Sequence, residues 1–258
     1  MATVNDILRF LSEWAPFDTG EKDDIIGLLA GRASAPVTRA LVSLDVTSAV
    51  IAEAAGKGCE LIIAHHPFFW GPPPFPTDTD RRGGAIALSL CENRIAAISM
   101  HTNLDAAPGG VNDRLSDLLG LENARTVLDA ETGIGRCGVL PEPQEIPLFA
   151  RGCREKLSCG VVRWHDAGRP AHRVAVCGGS GGGLLRRAQM LGCDTLVTAD
   201  IRHHVFLEAA EIGMNLLDCG HFATENVVIP VIFDRMRRGF PEISVFQSQV
   251  NKEPYQCL

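Results

Sequence analysis

"RALVSLDVTSAVIAEAAGKGCELIIAHHP", Arg39 to Pro67, decides the fold class. At its two ends, "RALVSLDV" and "CELIIAHH" are short aliphatic runs of strand type. Between them, "SAVIAEAAGKG" reads as a helix closed by glycine. Strand, helix and strand in that order predict a parallel or mixed sheet with helices packed over it. The pattern extends in both directions. Upstream, "VNDILRFLSEWAP" has apolar residues at helical spacing and stops at proline. Downstream, after the proline-rich loop "GPPPFPTDTD", come a helix in "RGGAIALSLCENR" and a strand in "IAAISMHT".

The second half follows the same grammar. "HRVAVCGGSGGG" is a strand entering a glycine turn, "LLRRAQMLGC" a helix and "DTLVTAD" a strand. "IRHHVFLEAAEIG" is then a helix and "MNLLDCGHF" a strand. The chain therefore belongs to the α/β class, with two related lobes expected. The first lobe is assigned to residues 1–125, completed by 222–258, and the second to 126–221. From about 122 to 170 the pattern is irregular: "PEPQEIP" reads as a break and "FARGCREKLSC" as a helix. That stretch is too short for an inserted domain.

Composition narrows the function classes. The 258 residues are 46% hydrophobic and 21% charged, the balance of an ordinary soluble chain. No apolar run approaches the roughly 18 residues that span a bilayer, and "MATVNDILRFLSEWAP" lacks a signal peptide's basic start. A cytoplasmic protein with no membrane partner is expected. The net charge of −7 argues against a nucleic-acid binder. It leaves room for a small anionic substrate, because a metal ion supplies positive charge locally. The nine cysteines are odd in number and form no C-x-x-C pair, so reduced thiols are expected. Cys59, Cys91, Cys177, Cys193 and Cys219 sit in or beside apolar runs, where cysteine behaves as a small hydrophobe.

The chemistry gathers at strand ends, where ligands of open α/β sheets collect. One strand ends at His65 and His66. Another runs into "MHTNLDAAPGGVND", with His101 and Asp105 just beyond it. A third leads into "DCGHFATEN", with His221 and Glu225 spaced i, i+4, so that a helix would set both on one face. Imidazoles with carboxylates suit zinc, manganese, iron or magnesium. Three histidines and two carboxylates exceed what one catalytic zinc takes. Adjacent side chains on an extended segment diverge, which also disfavours one ion for His65 and His66. Two ions per chain, bridged by a carboxylate, are expected; in such sites ions about 3.5–4 Å apart generate hydroxide and clamp a substrate oxygen.

Taken together, "SLDVT", "LIIAHHP", "HTNLDAAPGGVNDRLSDLLGL", "CGGSGG", "DTLVTAD" and "GHFATE" resemble the Nif-three-like family, also called GTP cyclohydrolase type 2. The resemblance covers most of the chain outside 122–170. It implies two intertwined α/β lobes with mixed sheets, a dinuclear metal site in the cleft between them, and a homohexamer. Carried over, the family's ligands fall on His65, His66, Asp105, His221 and Glu225, with His101 binding or lining the pocket. Two stretches depart from the family pattern. "DDIIGLLAG" replaces a DNVGLQVG-type stretch, and "TAD" (Thr198 to Asp200) replaces a TGE-like turn. The inserted middle domain of some members is missing.

The resemblance implies a metal-dependent hydrolase that opens the guanine ring of GTP or acts on a related nucleotide. The same site suits phosphoester hydrolysis, and a non-catalytic metal-binding scaffold is the alternative from another class. His101 and His204 are the candidate general acids; His203 and His204 otherwise read as helix histidines, and His165 and His172 as surface. "GGSGGG" (Gly178 to Gly183) reads as a structural turn in preference to a phosphate cradle, lacking a P-loop lysine. Asp45 either orients a ligand histidine or caps the helix near Ser48. Trp70 and Phe69 read as core in preference to base-stacking residues.

Overall fold

The computed structural model describes residues 1–257, which form two compact units. Met1–Leu104 with Ile229–Lys252 make the first, and Asp105–Val228 with Glu253–Leu258 the second. The division falls at 104/105 and 228/229, where sequence reading set it near 125 and 221; Leu258, the end of the expected first lobe, lies outside the described residues.

The first unit begins with α1 (Val4–Trp14), whose N-terminus carries a capping box: Thr3 accepts from the Asp6 amide while Asp6 accepts from Thr3. β1 (Gly27–Ala30), β2 (Arg39–Ser43), α2 (Ser48–Gly56), β3 (Leu61–Ala64), α3 (Gly84–Glu92) and β4 (Ala96–Ser99) follow. β2, β3 and β4 are parallel, as the strand–helix–strand reading requires, and β1 lies antiparallel on β4. Register matters here. Ala64 pairs with both Ser43 and Ser99 at the carboxyl ends of β2, β3 and β4, so the segments that follow leave the sheet at one level. β3 is entirely buried, and Ile62 packs with Leu41, Val50, Ile51 and Leu90 in the core.

The chain crosses between units within α4 (Thr102–Ala106). The second unit contains α5 (Val111–Leu119), β5 (Glu122–Val127), β6 (Arg136–Gln144), α6 (Ile146–Leu157), β7 (Arg163–His165) and β8 (Ala171–Val176). It continues through α7 (Leu185–Met190), β9 (Thr195–Thr198), α8 (His203–Ile212), β10 (Asn215–Asp218) and α9 (His221–Glu225). The sheet order is β5-β6-β8-β9-β10-β7, with β8, β9 and β10 parallel. Both faces are covered. Leu216 of β10 joins a core with Leu185, Val205 and Ala209, while its neighbour Leu217 joins the opposite one with Leu115 and Phe149. The chain then returns to the first unit as α10 (Ile229–Gly239) and β11 (Ser244–Gln247), which pairs in parallel with β2.

The 122–170 stretch is more regular than its sequence suggested. β6 runs through Pro141 and Pro143, where a break was expected. The prolines fit because the β6–β8 register shifts between Val139 and Gln144, so they fall where the ladder is interrupted and no amide is missed. "FARGCREKLSC" is helical as expected, within α6. No helix of the described residues is long and apolar enough to cross a membrane. Seven cysteines are buried, while Cys91, expected in the core, is exposed together with Cys257.

Candidate metal centre

Three histidines meet at the carboxyl edge of the first sheet. β3 ends at Ala64, so His65 and His66 lie in a bend rather than on the strand. The divergence expected of neighbours on an extended segment is therefore not what is found: their ring centroids are 4.9 Å apart. His101, just past β4, stands 5.3 Å from His65 and 5.8 Å from His66 by ring centroid. One ligand atom from each of the three lies within 4.8 Å of the others, a group that could hold a metal ion.

Each ring is oriented through Nδ1. His65 Nδ1 donates to the Met100 carbonyl at 2.7 Å. His66 Nδ1 meets Asp45 Oδ1 at 2.8 Å, and His101 Nδ1 meets Asp24 Oδ1 at 2.8 Å. A ring that donates through Nδ1 presents the Nε2 lone pair to its surroundings, the arrangement typical of metal-binding histidines. Asp45 thus orients His66, a candidate ligand, and Thr47 rather than Asp45 caps α2. Asn251 holds Asp45 in turn, its Nδ2 donating to Asp45 Oδ2 at 2.9 Å.

Asp24 is the partner that no motif announced. Burial would raise its pKa, but hydrogen bonds from His101 and Thr102 outweigh this and hold the carboxyl far below its ordinary value. Its second oxygen accepts from both the backbone amide, at 3.1 Å, and the hydroxyl of Thr102. Asp24 belongs to "DDIIGLLAG", the stretch that departs from the family pattern.

In the second unit, His221 and Glu225 begin and end α9, and the i, i+4 spacing brings His221 Nε2 to 2.9 Å from Glu225 Oε2. His221 Nδ1 meets Asp200 Oδ2 at 2.7 Å. Asp200 follows β9 with a left-handed backbone (φ 54°), so the "TAD" turn supplies His221's orienting carboxylate. Thr198 and Asp218 pair at the ends of β9 and β10, which sets Asp200 and His221 off from one edge. The glycine turn after β8 explains itself here. Gly179 has φ +61°, and a Cβ there would lie 2.1 Å from Glu225 Oε1 and 3.2 Å from His221 Cε1. Only glycine admits both the backbone and the approach. Asp105 is 7% exposed near the end of α4, and its carbonyl accepts from Asn112 Nδ2 at 3.0 Å. Asn112 Oδ1 accepts in turn from the Gly178 amide, tying Asp105's helix to the same turn.

The remaining sites lie elsewhere in character. His203 and His204 are exposed on the first turn of α8, His172 is exposed on β8, and His165 is half-buried on β7. Trp70 is not core: it is 62% exposed and stands edge-on to His101, centroids 5.3 Å apart. Phe69 is half-buried against Phe68.

The comparisons agree with one another. The Duf34/NIF3 (NGG1p interacting factor 3) family matches residues 2–254. A GTP cyclohydrolase 1 type 2 homolog from Clostridium perfringens is 31% identical over 261 residues, covering 99% of both chains. Another of that name, from Lactococcus lactis, is 31% identical over 258 residues, covering 98% of both. A Staphylococcus aureus protein of solved structure matches at TM-score 0.91 and 28% identity over 99% of each chain. A Bacillus cereus protein related to NIF3 shares the fold at TM-score 0.93 and 23% identity, over 100% of this chain and 99% of its own. On the match along nearly its whole length, the chain belongs to the Duf34/NIF3 family.

Proposed function

We propose that the protein is a divalent-metal-dependent hydrolase with a dinuclear site, acting in the cytosol on GTP or a related nucleotide. In this reading His65, His66, Asp105, His221 and Glu225 are the ligands of two ions, and His101 lines the pocket or joins them. One observation carries the proposal: four histidines each engage Nδ1 with a carboxylate or carbonyl oxygen, an orientation that presents Nε2 for ligation. Surface histidines have no reason to share that orientation. Divalent cations held there would supply Lewis acidity, polarising a substrate oxygen and acidifying water near neutral pH.

The chain's own residues do the rest. Asp24, Asp45 and Asp200 fix the imidazoles and raise their basicity toward a cation. Glu225 and Asp105 supply negative charge that offsets part of the charge of two cations. Trp70 places an exposed indole beside His101, a surface on which a purine can stack. The nucleotide is supported by that indole and by the relatives' name, GTP cyclohydrolase 1 type 2 homolog. We further propose a homohexamer as the working assembly.

One observation favours a second reading, a non-catalytic metal-binding scaffold. Of the two candidate general acids, His204 is exposed and no partner among the described residues orients it, leaving His101 alone. The deciding experiment is a screen of metal-loaded protein against GTP, other nucleotides and small phosphoesters, with Glu225→Gln as control. Turnover that the variant loses supports the hydrolase. Full metal loading without turnover of any substrate in the panel favours the scaffold.

A further inference from the structure

The second unit contains a pocket of about 410 Å³ that shares no residue with the metal-ligand set. α6 forms one wall with Pro147, Ala150, Arg151 and Arg154, and the segment leading into β7 forms the other with Gly160, Val161, Val162 and Trp164. Cys257 closes one side. The volume falls in the range of roughly 300–1,000 Å³ typical of small-molecule sites.

Its lining is divided by chemistry. Ala150 and Val162 are buried and make an apolar floor. Trp164 is 46% exposed on β7, the edge strand of its sheet. Arg151 and Arg154 are exposed and stand three residues apart on α6, so they share a helix face. Neither guanidinium has a carboxylate partner among the described residues. Two like charges on one face of a helix are unfavourable without an anion between them, and the chain as a whole is acidic at −7. An arginine pair, a flat indole and an apolar floor match one ligand chemistry: a planar ring that lies against the indole and carries an anionic group for the guanidiniums.

We propose that this pocket is a second ligand site, binding a small aromatic anion of the nucleoside-monophosphate class independently of the metal centre. The arginines take the phosphate as a bidentate fork, and Trp164 takes the ring. The site stands whether or not the metal centre is catalytic, because none of its residues serves there.

The test uses full-length protein stripped of metal with chelator and titrated calorimetrically with GMP, guanosine and inorganic phosphate. GMP is expected to bind saturably, and guanosine and phosphate at least about tenfold more weakly, since each satisfies half of the pocket. Arg151→Gln with Arg154→Gln should weaken GMP about tenfold or more and flatten its salt dependence. Trp164→Ala should weaken it by a similar factor and Trp164→Phe by less. All three positions are exposed, so circular dichroism and melting temperature should stay unchanged. Absence of saturable GMP binding into the millimolar range overturns the proposal. So does phosphate alone binding as tightly as GMP, or GMP affinity indifferent to the variants. Variants that alter self-association in size-exclusion chromatography while leaving GMP affinity intact would instead make the pocket a contact between chains, and the proposal would fall.

Discussion

The two candidate donor sets are held in place by different means. In the first unit, three imidazoles follow the ends of adjacent parallel strands, and each is pinned by a different partner: a main-chain carbonyl, Asp45 and Asp24. His65 is fully buried, and the Asp24 side chain is only 5% exposed. In the second, one short helix carries both an imidazole and a carboxylate, and the partner, Asp200, is half-exposed with 53% of its side chain accessible. Strand ends give rigidity, because the ladder fixes where each residue leaves the sheet. A five-residue helix gives little of its own, so the second set depends on a glycine turn to let Glu225 approach. The first set is held by burial and hydrogen bonds, the second by shape.

Changing that shape should have the largest effect. Gly179→Ala places a Cβ 2.1 Å from Glu225 Oε1 on a backbone at φ +61°. Left-handed strain and the clash together should cost roughly 2–5 kcal/mol in urea denaturation, and Glu225 should be displaced. An unchanged midpoint would mean the turn does not constrain the second set. The orienting carboxylates test the contrast directly. Asp24→Asn should weaken metal binding by about 10–100-fold, as loss of such partners commonly does. Asp200→Asn should cost less, because water already reaches His221 and its partner. Equal losses in competitive chelator titrations would erase the distinction between a buried and an exposed set.

Acid stability gives a smaller effect of known sign. Asp24's carboxyl is held below its ordinary value of 3.8 in the folded chain. Its contribution is therefore complete above that value and fades as pH falls through the lower folded one. Chelator-treated protein should lose stability below about pH 4, and Asp24→Asn should show a shallower decline there while matching the wild-type slope between pH 5 and 7. Parallel curves down to the lowest accessible pH would contradict the assignment. The mildest test is thiol labelling. Exposed Cys91 and Cys257 should alkylate first. Cys59 should lag, since burial, with a smaller push from Glu60, drives its thiol up to about 11 and keeps it protonated. Rapid modification of Cys59 in native protein would show that the first core opens.

What the sequence disclosed follows from how far apart interacting residues lie. Strands and helices of the parallel cores were legible because their periodicity is local, as in Leu61–Ala64 and Ser48–Gly56. His65, His66, His101, Asp105, His221 and Glu225 announced themselves by residue type at strand ends. Their orienting partners did not. Asp24 lies 77 residues from His101, and Asn251 lies 206 from Asp45; no spacing encodes such pairs. Asp200 sat in view in "TAD", but its role depends on a left-handed turn that residue type alone does not specify. β6 escaped notice because prolines in a strand signal a break unless the register shift that accommodates them is known, and β5, "ENARTV", because it is mostly exposed and lacks an apolar run.

Elemental analysis of purified protein tests the account most directly, comparing wild type with Asp105→Asn and Glu225→Gln. The account predicts roughly two divalent ions per wild-type chain, lost in both variants while circular dichroism stays native. A well-folded wild-type protein that binds no divalent metal even when supplied with it, with variants indistinguishable from it, would contradict the claim that these side chains form a metal centre.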